Sequence, residues 1–370
     1  MAYSNEALLI LATLGAKHNV LLSGPPSCGK TYLLQEVADV FASVGGVQPA
    51  QPAQPVAVTK RVAIPAQVVA PAPQVQGLPS PDRANRHVER IAFSANTRAR
   101  DFTTAFVPLV NGGNAGFQVA QGALIRANEA ALAGGAALLI IDEMNRGPAV
   151  QLFGDAVVSI EQDKRLDAND QPTRDTWPLH ILGDQGQVIE MRLSSHLYIL
   201  AALNQADVSI EPLDVAFLRR FEPIPLIPRP DVVRASLGAS GNAPEAPTAP
   251  GDVVEVAIRA WEKVNERIAL GRGSDFRIGH GIFLMPNSPP ADVGEALDRA
   301  VGWWKRIATH VQEVFFGDLI GAGVVFNESQ DGAGYKIVST PYGIDQKQQL
   351  VEPTIDTGTI YAVLRQVAGA

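Results

Sequence analysis

The sequence predicts an α/β protein in which a parallel sheet is sandwiched by helices and followed by a smaller C-terminal α-helical domain. Three observations carry this expectation. Short apolar runs alternate with helical patterns over the first part of the chain, the rhythm of strand–helix–strand units. A glycine-rich octapeptide, GPPSCGKT at 24–31, stands between the first apolar run and the first helical pattern. After residue 251 the alternation stops, and apolar residues recur at helical spacing.

Taken in order, the apolar runs at 20–23, 90–94, 137–141, 196–202 and 222–227 read as strands, with a helical pattern over 31–41 behind the octapeptide. Residues 47–81 hold eight of the 27 prolines, no acidic residue, and only Lys60 and Arg61 as charges, so they read as an irregular insertion in the first domain. Pro212 is expected to open a short helix over 213–220. Residues 238–251, with Pro244, Pro247 and Pro250 among small residues, read as an interdomain linker. Beyond it, 252–270 and 291–316 place apolar residues on one helical face, as with Val293, Leu297, Val301, Trp304 and Ile307. The domains are thus 1–237 for the α/β core, 238–251 for the linker, and 252–370 for a helical lid and C-terminal segment.

The chain has 370 residues, 46% hydrophobic and 18% charged, and a net charge of −8. That composition excludes a wholly disordered chain and gives no electrostatic reason for the whole chain to hold nucleic acid. One cysteine excludes an intrachain disulfide framework. No apolar run approaches the roughly 18 residues of a membrane span, and the apolar stretch 7–14 lacks a basic segment before it. The expected location is cytoplasmic.

Residues 24–31 match GxxxxGK[ST] after a strand and before a helix, the context that makes the pattern a phosphate loop. Gly24, Pro25, Pro26, Ser27, Cys28, Gly29, Lys30, Thr31 and the adjoining Tyr32 form the expected nucleotide-binding set. Backbone N–H groups and the helix dipole favour an anion there, Lys30 would reach the β- and γ-phosphates, and Thr31 would bind Mg²⁺. Asp142, closing the run 137–141, would share the Mg²⁺, and Glu143 beside it would orient or deprotonate the attacking water. Asn204, at the end of another strand, could face the γ-phosphate; a strand-end turn would favour Asn as well. Arg219 and Arg220 end the short helix and suit its dipole, or one of them serves a neighbouring subunit's site as an arginine finger. Glu161, Asp163 and Lys164 read as the exposed end of a helix rather than as a nuclease set. The glycine-rich stretch 111–117 reads as a surface loop, or as a pore loop with Phe117 as its contact.

Four stretches resemble the AAA+ superfamily and, within it, the McrB-like branch of dynein-related and MoxR-type ATPases. They are GPPSCGKT at 24–31; IDEMNRG at 141–147, continued by LFGD at 152–155 and IEQDKR at 160–165; LYILAALNQAD at 197–207, continued by LDVAFLRRF at 213–221; and FRIGH at 276–280. The resemblance covers about residues 20–316 apart from the insertion, and implies a P-loop NTPase core with a helical lid. It further implies ATP, or alternatively GTP, as substrate with Mg²⁺, and a ring, usually hexameric in that branch. In such a ring Glu143 activates water, Asn204 is the first sensor, and Arg219 or Arg220 acts on the adjacent subunit. Asn145, Arg146 and Asp207 would support the site or the subunit interface. Arg277 and His280 would lie in the lid near the nucleotide. The implied partner is a McrC-like nuclease subunit in modification-dependent restriction or anti-phage defence, with DNA met only through that partner. A MoxR-type chaperone ATPase and a nucleotide-dependent scaffold are the alternatives.

Overall fold

In the computed structural model the described residues are 3–43, 77–111, 114–183, 185–204, 206, 213–343 and 345–370. They fall into two compact units. The first comprises the described residues within Met1–Ser23, Lys30–Leu203 and Ser209–Ile224; the second comprises those within Gly24–Gly29, Asn204–Val208 and Pro225–Ala370. No helix among the described residues is long and apolar enough to cross a membrane.

In the first unit, α1 (Asn5–Lys17) starts on Ser4, whose hydroxyl accepts from the Ala7 N–H, and runs into β1 (Asn19–Gly24). There follow α2 (Lys30–Ser43), β2 (Arg86–Ala92), α3 (Ala99–Phe102), β3 (Thr104–Asn111), β4 (Asn114–Gln121), α4 (Ala123–Leu132) and β5 (Ala136–Asp142). Then come α5 (Ala149–Phe153), α6 (Ala156–Ser159), β6 (Leu179–Leu182), β7 (Val188–Met191), β8 (Leu197–Asn204), α7 (Val215–Leu218) and β9 (Glu222–Pro225). All five expected strands join one sheet, in the order β2-β5-β8-β1-β9. β2 pairs with β5 and β5 with β8 in parallel, with Ala92 opposite Asp142 and Ile141 opposite Ala201. β5 is buried from Ala136 to Ile141, which explains its unbroken apolar sequence: a strand covered on both faces has no polar side. Phe93, Phe102, Phe153, Phe217 and Phe221 pack ring against ring beside it.

A buried cation ties this sheet together at its other end. Arg165, 1% exposed, donates from Nη2 to Asn19 Oδ1 (2.6 Å), from Nε to the Ile160 carbonyl (3.0 Å), and from Nη1 to the Leu197 carbonyl. Asn19 in turn donates to the carbonyls of Ile160 (2.8 Å) and Arg220 (3.0 Å). Burial pulls the Arg165 pKa down to about 9, which leaves the side chain charged at neutral pH.

The sequence expectations need several corrections in this unit. Two antiparallel hairpins, β3–β4 and β6–β7, stand outside the main sheet and were not foreseen. Asn111 and residues 114–117 belong to the strands of the β3–β4 hairpin, with Asn111 opposite Asn114 and Phe117 opposite Pro108; residues 112–113 lie outside the described residues. Most of the expected proline-rich insertion, 47–76, also lies outside them. Its last five residues belong to the fold: Leu78 and Pro79 are buried, and the Ser80 hydroxyl lies 2.6 Å from both His196 Nδ1 and Tyr198 Oη. Residues 162–164 form a 3-10 turn rather than a helix end. α7 is a single turn, and Pro212 lies outside the described residues.

The second unit contains α8 (Pro230–Leu237), α9 (Pro250–Gly271), α10 (Val293–Val314), α11 (Leu319–Val325), β10 (Lys336–Tyr342), β11 (Asp345–Val351) and α12 (Ile360–Ala368). α9 begins with Pro250 and with the Asp252 carboxylate accepting from the Ala249 N–H (3.0 Å); α10 begins on Asp292, which accepts from the Glu295 N–H. Trp261, Phe283, Trp304, Phe326 and Tyr335 fill its core, Phe326 stacking on Tyr335 with centroids 3.9 Å apart. Two expectations change here. Val233 and Leu237 of α8 are fully buried in this core, and residues 238–251 run within the unit rather than between units. Ser240 donates to Asp252 (2.7 Å), and Tyr361 donates to the Pro244 carbonyl (2.8 Å). The unit is also not wholly helical, because β10 and β11 form an antiparallel hairpin.

Candidate active site

The octapeptide bridges β1 and α2, as its sequence context requires. Its first six residues, Gly24–Gly29, cluster with the second unit. Gly24 (φ 156°) passes so close to the backbone that a Cβ there would lie 2.4 Å from the Leu226 carbonyl oxygen. Ser27 (φ 62°) and Gly29 (φ 85°) take the left-handed conformations that coil a phosphate loop. The loop is held by the segment 278–281. The Gly279 N–H donates to the Pro26 carbonyl (2.9 Å) and the Gly281 N–H to the Ser27 carbonyl (2.8 Å). That segment is itself fixed by α9: Asn265 accepts from the Ile278 N–H (2.7 Å) and donates to its carbonyl (3.0 Å), which also accepts from Trp261 Nε1 (2.9 Å).

His280 sits at the loop. Its Nδ1 accepts from the Arg229 N–H (3.3 Å), and its Nε2 is the one atom within 4 Å of where a Cβ on Gly29 would stand, at 3.9 Å. Arg277, expected with it, instead donates to the Ser274 carbonyl of its own turn (2.9 Å). Cys28 is buried. Asn204 is the last residue of β8 and clusters with this unit, while Asp207 lies outside the described residues.

In the first unit, α2 opens on Lys30 and Thr31. Lys30 is buried and Thr31 exposed, and no acidic residue occupies the first turn to neutralise the helix dipole. Tyr32 is 71% exposed on the outside of the helix. Asp142 ends β5, and the Glu143 N–H donates to Asp142 Oδ1 (3.0 Å). Glu143 itself is left-handed (φ 51°, ψ 44°), a conformation that turns the chain sharply out of the strand into the 3-10 turn Met144–Arg146. Met144 is fully buried and pins that turn; Arg146 Nε donates back to Glu143 Oε2 (3.1 Å). Asn145 is half-buried between them.

Among the described residues no three His, Cys, Asp or Glu side chains converge as a metal site. Asp142 and the Thr31 hydroxyl are oxygen donors of the kind that Mg²⁺ takes, its other positions being filled by phosphate or water. That is the donor set of Mg²⁺ with a nucleotide. The loop suits an anion too: Ser27 and Gly29 take left-handed conformations, a Cβ at Gly29 would meet only His280 Nε2 at ordinary contact distance among the described residues, and no acidic residue stands in the first turn of α2.

Arg219 and Arg220 follow α7. Arg219 is exposed. Arg220 Nε lies 2.9 Å from Glu161 Oε1, an ion pair whose N–H is not aimed along a hydrogen-bond line. Of the residues that hold these groups, Glu161 reads in sequence only as an exposed helix end, and Asn19, Asn265 and Trp261 carry no mark of their role. Their partners are far away in the chain, and no local spacing marks them.

The chain folds as an α/β sheet flanked by helices, with a GxxxxGK[ST] loop after one strand, an acidic pair closing a second and an asparagine closing a third. Its sequence likeness is McrB-like: the chain is 24% identical over 281 residues to the EcoKMcrB subunit of a type IV methyl-directed restriction enzyme of Escherichia coli K12, covering 74% of this chain and 49% of that one. It is 35% identical over 85 residues to YdiS, a component of the type II restriction enzyme BsuMI of Bacillus subtilis 168, covering 23% of this chain and 25% of that one. The chain thus spans about half the length, or less, of the curated relatives it matches. No family model matches it. Among solved structures, an ATPase candidate from Cytophaga hutchinsonii aligns at 13% identity with a TM-score of 0.33, covering 81% of this chain and 75% of that one.

Proposed function

We propose that this chain is an AAA+ NTPase that hydrolyses ATP, or alternatively GTP, in a ring and drives a McrC-like nuclease subunit in modification-dependent restriction. The observation that carries the reading is the pairing of a phosphate loop with Asp142–Glu143 at the end of a buried strand, on a chain whose relatives belong to restriction enzymes.

The residues divide the work. The N–H groups of Gly24–Thr31 and Lys30 bind and orient the phosphates; buried Lys30 gives its charge to the β- and γ-oxygens in a place poorly screened by water. Thr31 and Asp142 hold Mg²⁺, which when bound neutralises phosphate charge. Glu143 accepts the proton of the attacking water at its carboxylate, and Asn204 hydrogen-bonds that water or the γ-phosphate. One of Arg219 and Arg220 supplies positive charge to a neighbouring copy's site. Asn145, Arg146 and Asp207 support the site, and His280 positions the loop. Arg146 in particular donates to one oxygen of the Glu143 carboxylate and steadies it, and a carboxylate has acceptor sites for the water beyond that one. With a net charge of −8, the chain is suited to leave DNA to its partner.

The test is turnover of ATP and GTP by the purified chain, alone and with a co-expressed nuclease subunit. Glu143→Gln is expected to keep nucleotide affinity and to lose turnover by about 10²- to 10⁴-fold. Normal hydrolysis by that variant would remove Glu143 from the mechanism, and the absence of stimulation or complex with any nuclease subunit would remove the restriction role.

A further inference from the structure

Residues 83–100 hold five arginines and a single acidic residue, Glu89, in a chain whose net charge is −8. The fold uses two of the five internally. Arg83 pairs with Asp170 (3.0 Å), and Arg86 donates to the carbonyls of Pro79 and Ser80 (2.6 Å each). Arg90 on β2 and Arg100 on α3 instead line one open cavity of about 480 Å³ in the first unit, and Arg126 of α4 lines it too. β2 is the edge strand of the main sheet, so the space beside it is walled by α3, α4 and the β3–β4 hairpin. Gly122 permits that enclosure: a Cβ there would lie 2.2 Å from the Phe102 carbonyl carbon, so glycine is what lets the start of α4 close on the end of α3.

The three guanidinium groups are exposed but unequally committed. Arg126 is braced, donating to Glu89 Oε1 and to the Gln121 carbonyl (2.5 Å each). Arg90 gives one N–H to the neutral Gln35 amide oxygen (2.5 Å) and pairs with no carboxylate among the described residues. Arg100 Nε stands 3.6 Å from Asp101 Oδ1, beyond hydrogen-bond reach, and Asp101 Oδ2 already accepts from the Arg98 N–H (2.9 Å). Asp101 is the one carboxylate among the lining residues. Like charges gathered around one space repel, and an anion shared between them reverses that cost. Each guanidinium carries five N–H donors in a planar fork that meets phosphate oxygens two at a time, so Arg90 and Arg100 keep most of theirs to offer. Ile91 and Val107 add an apolar wall, and an open cavity of this size with few polar groups has the form of a small-molecule site.

We infer that this cavity binds a small phosphorylated molecule, a phosphomonoester no larger than a nucleoside monophosphate. Arg90 and Arg100 take its phosphate, Arg126 adds a fixed positive charge, and the body of the molecule lies against Ile91 and Val107. A free molecule fits better than a nucleic-acid backbone, because the three cations share one concave space instead of following an extended track. The inference goes beyond the proposed NTPase and does not depend on it, since no residue of 24–31 lines the cavity.

The experiment titrates the full chain calorimetrically with AMP, with ribose 5-phosphate and with a single-stranded DNA 12-mer, in the wild type and in Lys30→Ala, which weakens the phosphate loop. Lys30→Ala is expected to keep one equivalent of monoester binding. Adding Arg90→Gln and Arg100→Gln should weaken that binding at least about tenfold with the unfolding temperature unchanged. Lys263→Gln with Lys305→Gln, which removes the same charge from exposed positions of the second unit, should leave it as it was. Unchanged affinity in the arginine pair, an equal loss in the lysine pair, or no monoester binding to Lys30→Ala overturns the inference. Binding of the 12-mer at these arginines without binding of either monoester overturns it as well, in favour of nucleic acid. If Lys30→Ala does not fold, the wild type serves: the arginine pair should lose one equivalent of AMP and keep the other. If the arginine pair does not fold, Arg100→Gln alone decides, and unchanged affinity there overturns the site.

Discussion

Gly279 donates its N–H to the carbonyl of Pro26 at 2.9 Å, and a Cβ on Gly279 would fall 2.1 Å from the carbonyl carbon of Ser27. The close approach, not the residue's own backbone angle, is what demands glycine here. Gly279→Ala should push the 278–281 segment off the loop. The expected outcome is a fall of more than about tenfold in nucleotide affinity, since a displaced loop no longer aims its N–H groups. Titration of the variant with a fluorescent nucleotide checks it; wild-type affinity would show that the loop keeps its shape unaided.

Asn265 and Ile278 provide a second test, one step removed from the nucleotide. Asn265 is buried at 6% exposure and makes two hydrogen bonds to the Ile278 backbone, so Asn265→Leu leaves a buried N–H without its acceptor. We expect a loss of roughly 1–3 kcal/mol in urea unfolding. A parallel weakening of nucleotide affinity is expected because Ile278 leads into Gly279. Asn265→Asp keeps the acceptor for the Ile278 N–H and should recover part of the affinity; equal affinity in all three proteins would sever α9 from the loop.

His18 gives the pH dependence. Burial, and then the charge of Arg165, push its pKa from 6.5 down to about 4. Its Nε2 lies 2.9 Å from the Ser195 carbonyl, which can only accept, so the neutral ring carries its proton there and the second proton would have to enter at buried Nδ1. The unfolded chain takes up that proton near pH 6.5 and the folded chain only near 4. Stability is therefore whole above pH 6.5 and declines as the pH falls toward 4, by about 1.4 kcal/mol per unit at the steepest. Urea unfolding at pH 7 and pH 5 should show this decline in the wild type and a smaller one in His18→Gln. Equal slopes would mean that other groups carry the acid sensitivity.

The parts legible in the sequence were those fixed by local chemistry. β5 reads as a strand because AALLII has no polar position to spare, and 24–31 reads as a phosphate loop because its glycines, Lys30 and Thr31 keep a fixed spacing. The two hairpins were not legible: β7 is mostly exposed, and β6 is only four residues long, so the alternation that buries Leu179 and Ile181 is too short to mark a strand in sequence. The proline-rich character of 238–251 suggested a linker, yet the segment is packed, because Asp252 and Tyr361 supply partners for its backbone and for Ser240. The two neighbouring arginines at 219 and 220 could not be told apart in sequence, since only the distant Glu161 and Asn19 distinguish them.

Glu143 stands in a left-handed conformation that glycine adopts freely and that costs a glutamate roughly 1 kcal/mol or more. If Glu143 activates water as proposed, conformational stability and chemical use pull in opposite directions at this one position. Redesign of this chain for heat resistance alone would replace Glu143 with glycine early, relaxing the turn out of β5 and removing the carboxylate in the same step. A hardened version of the protein would have to find its extra stability elsewhere and leave this strain in place.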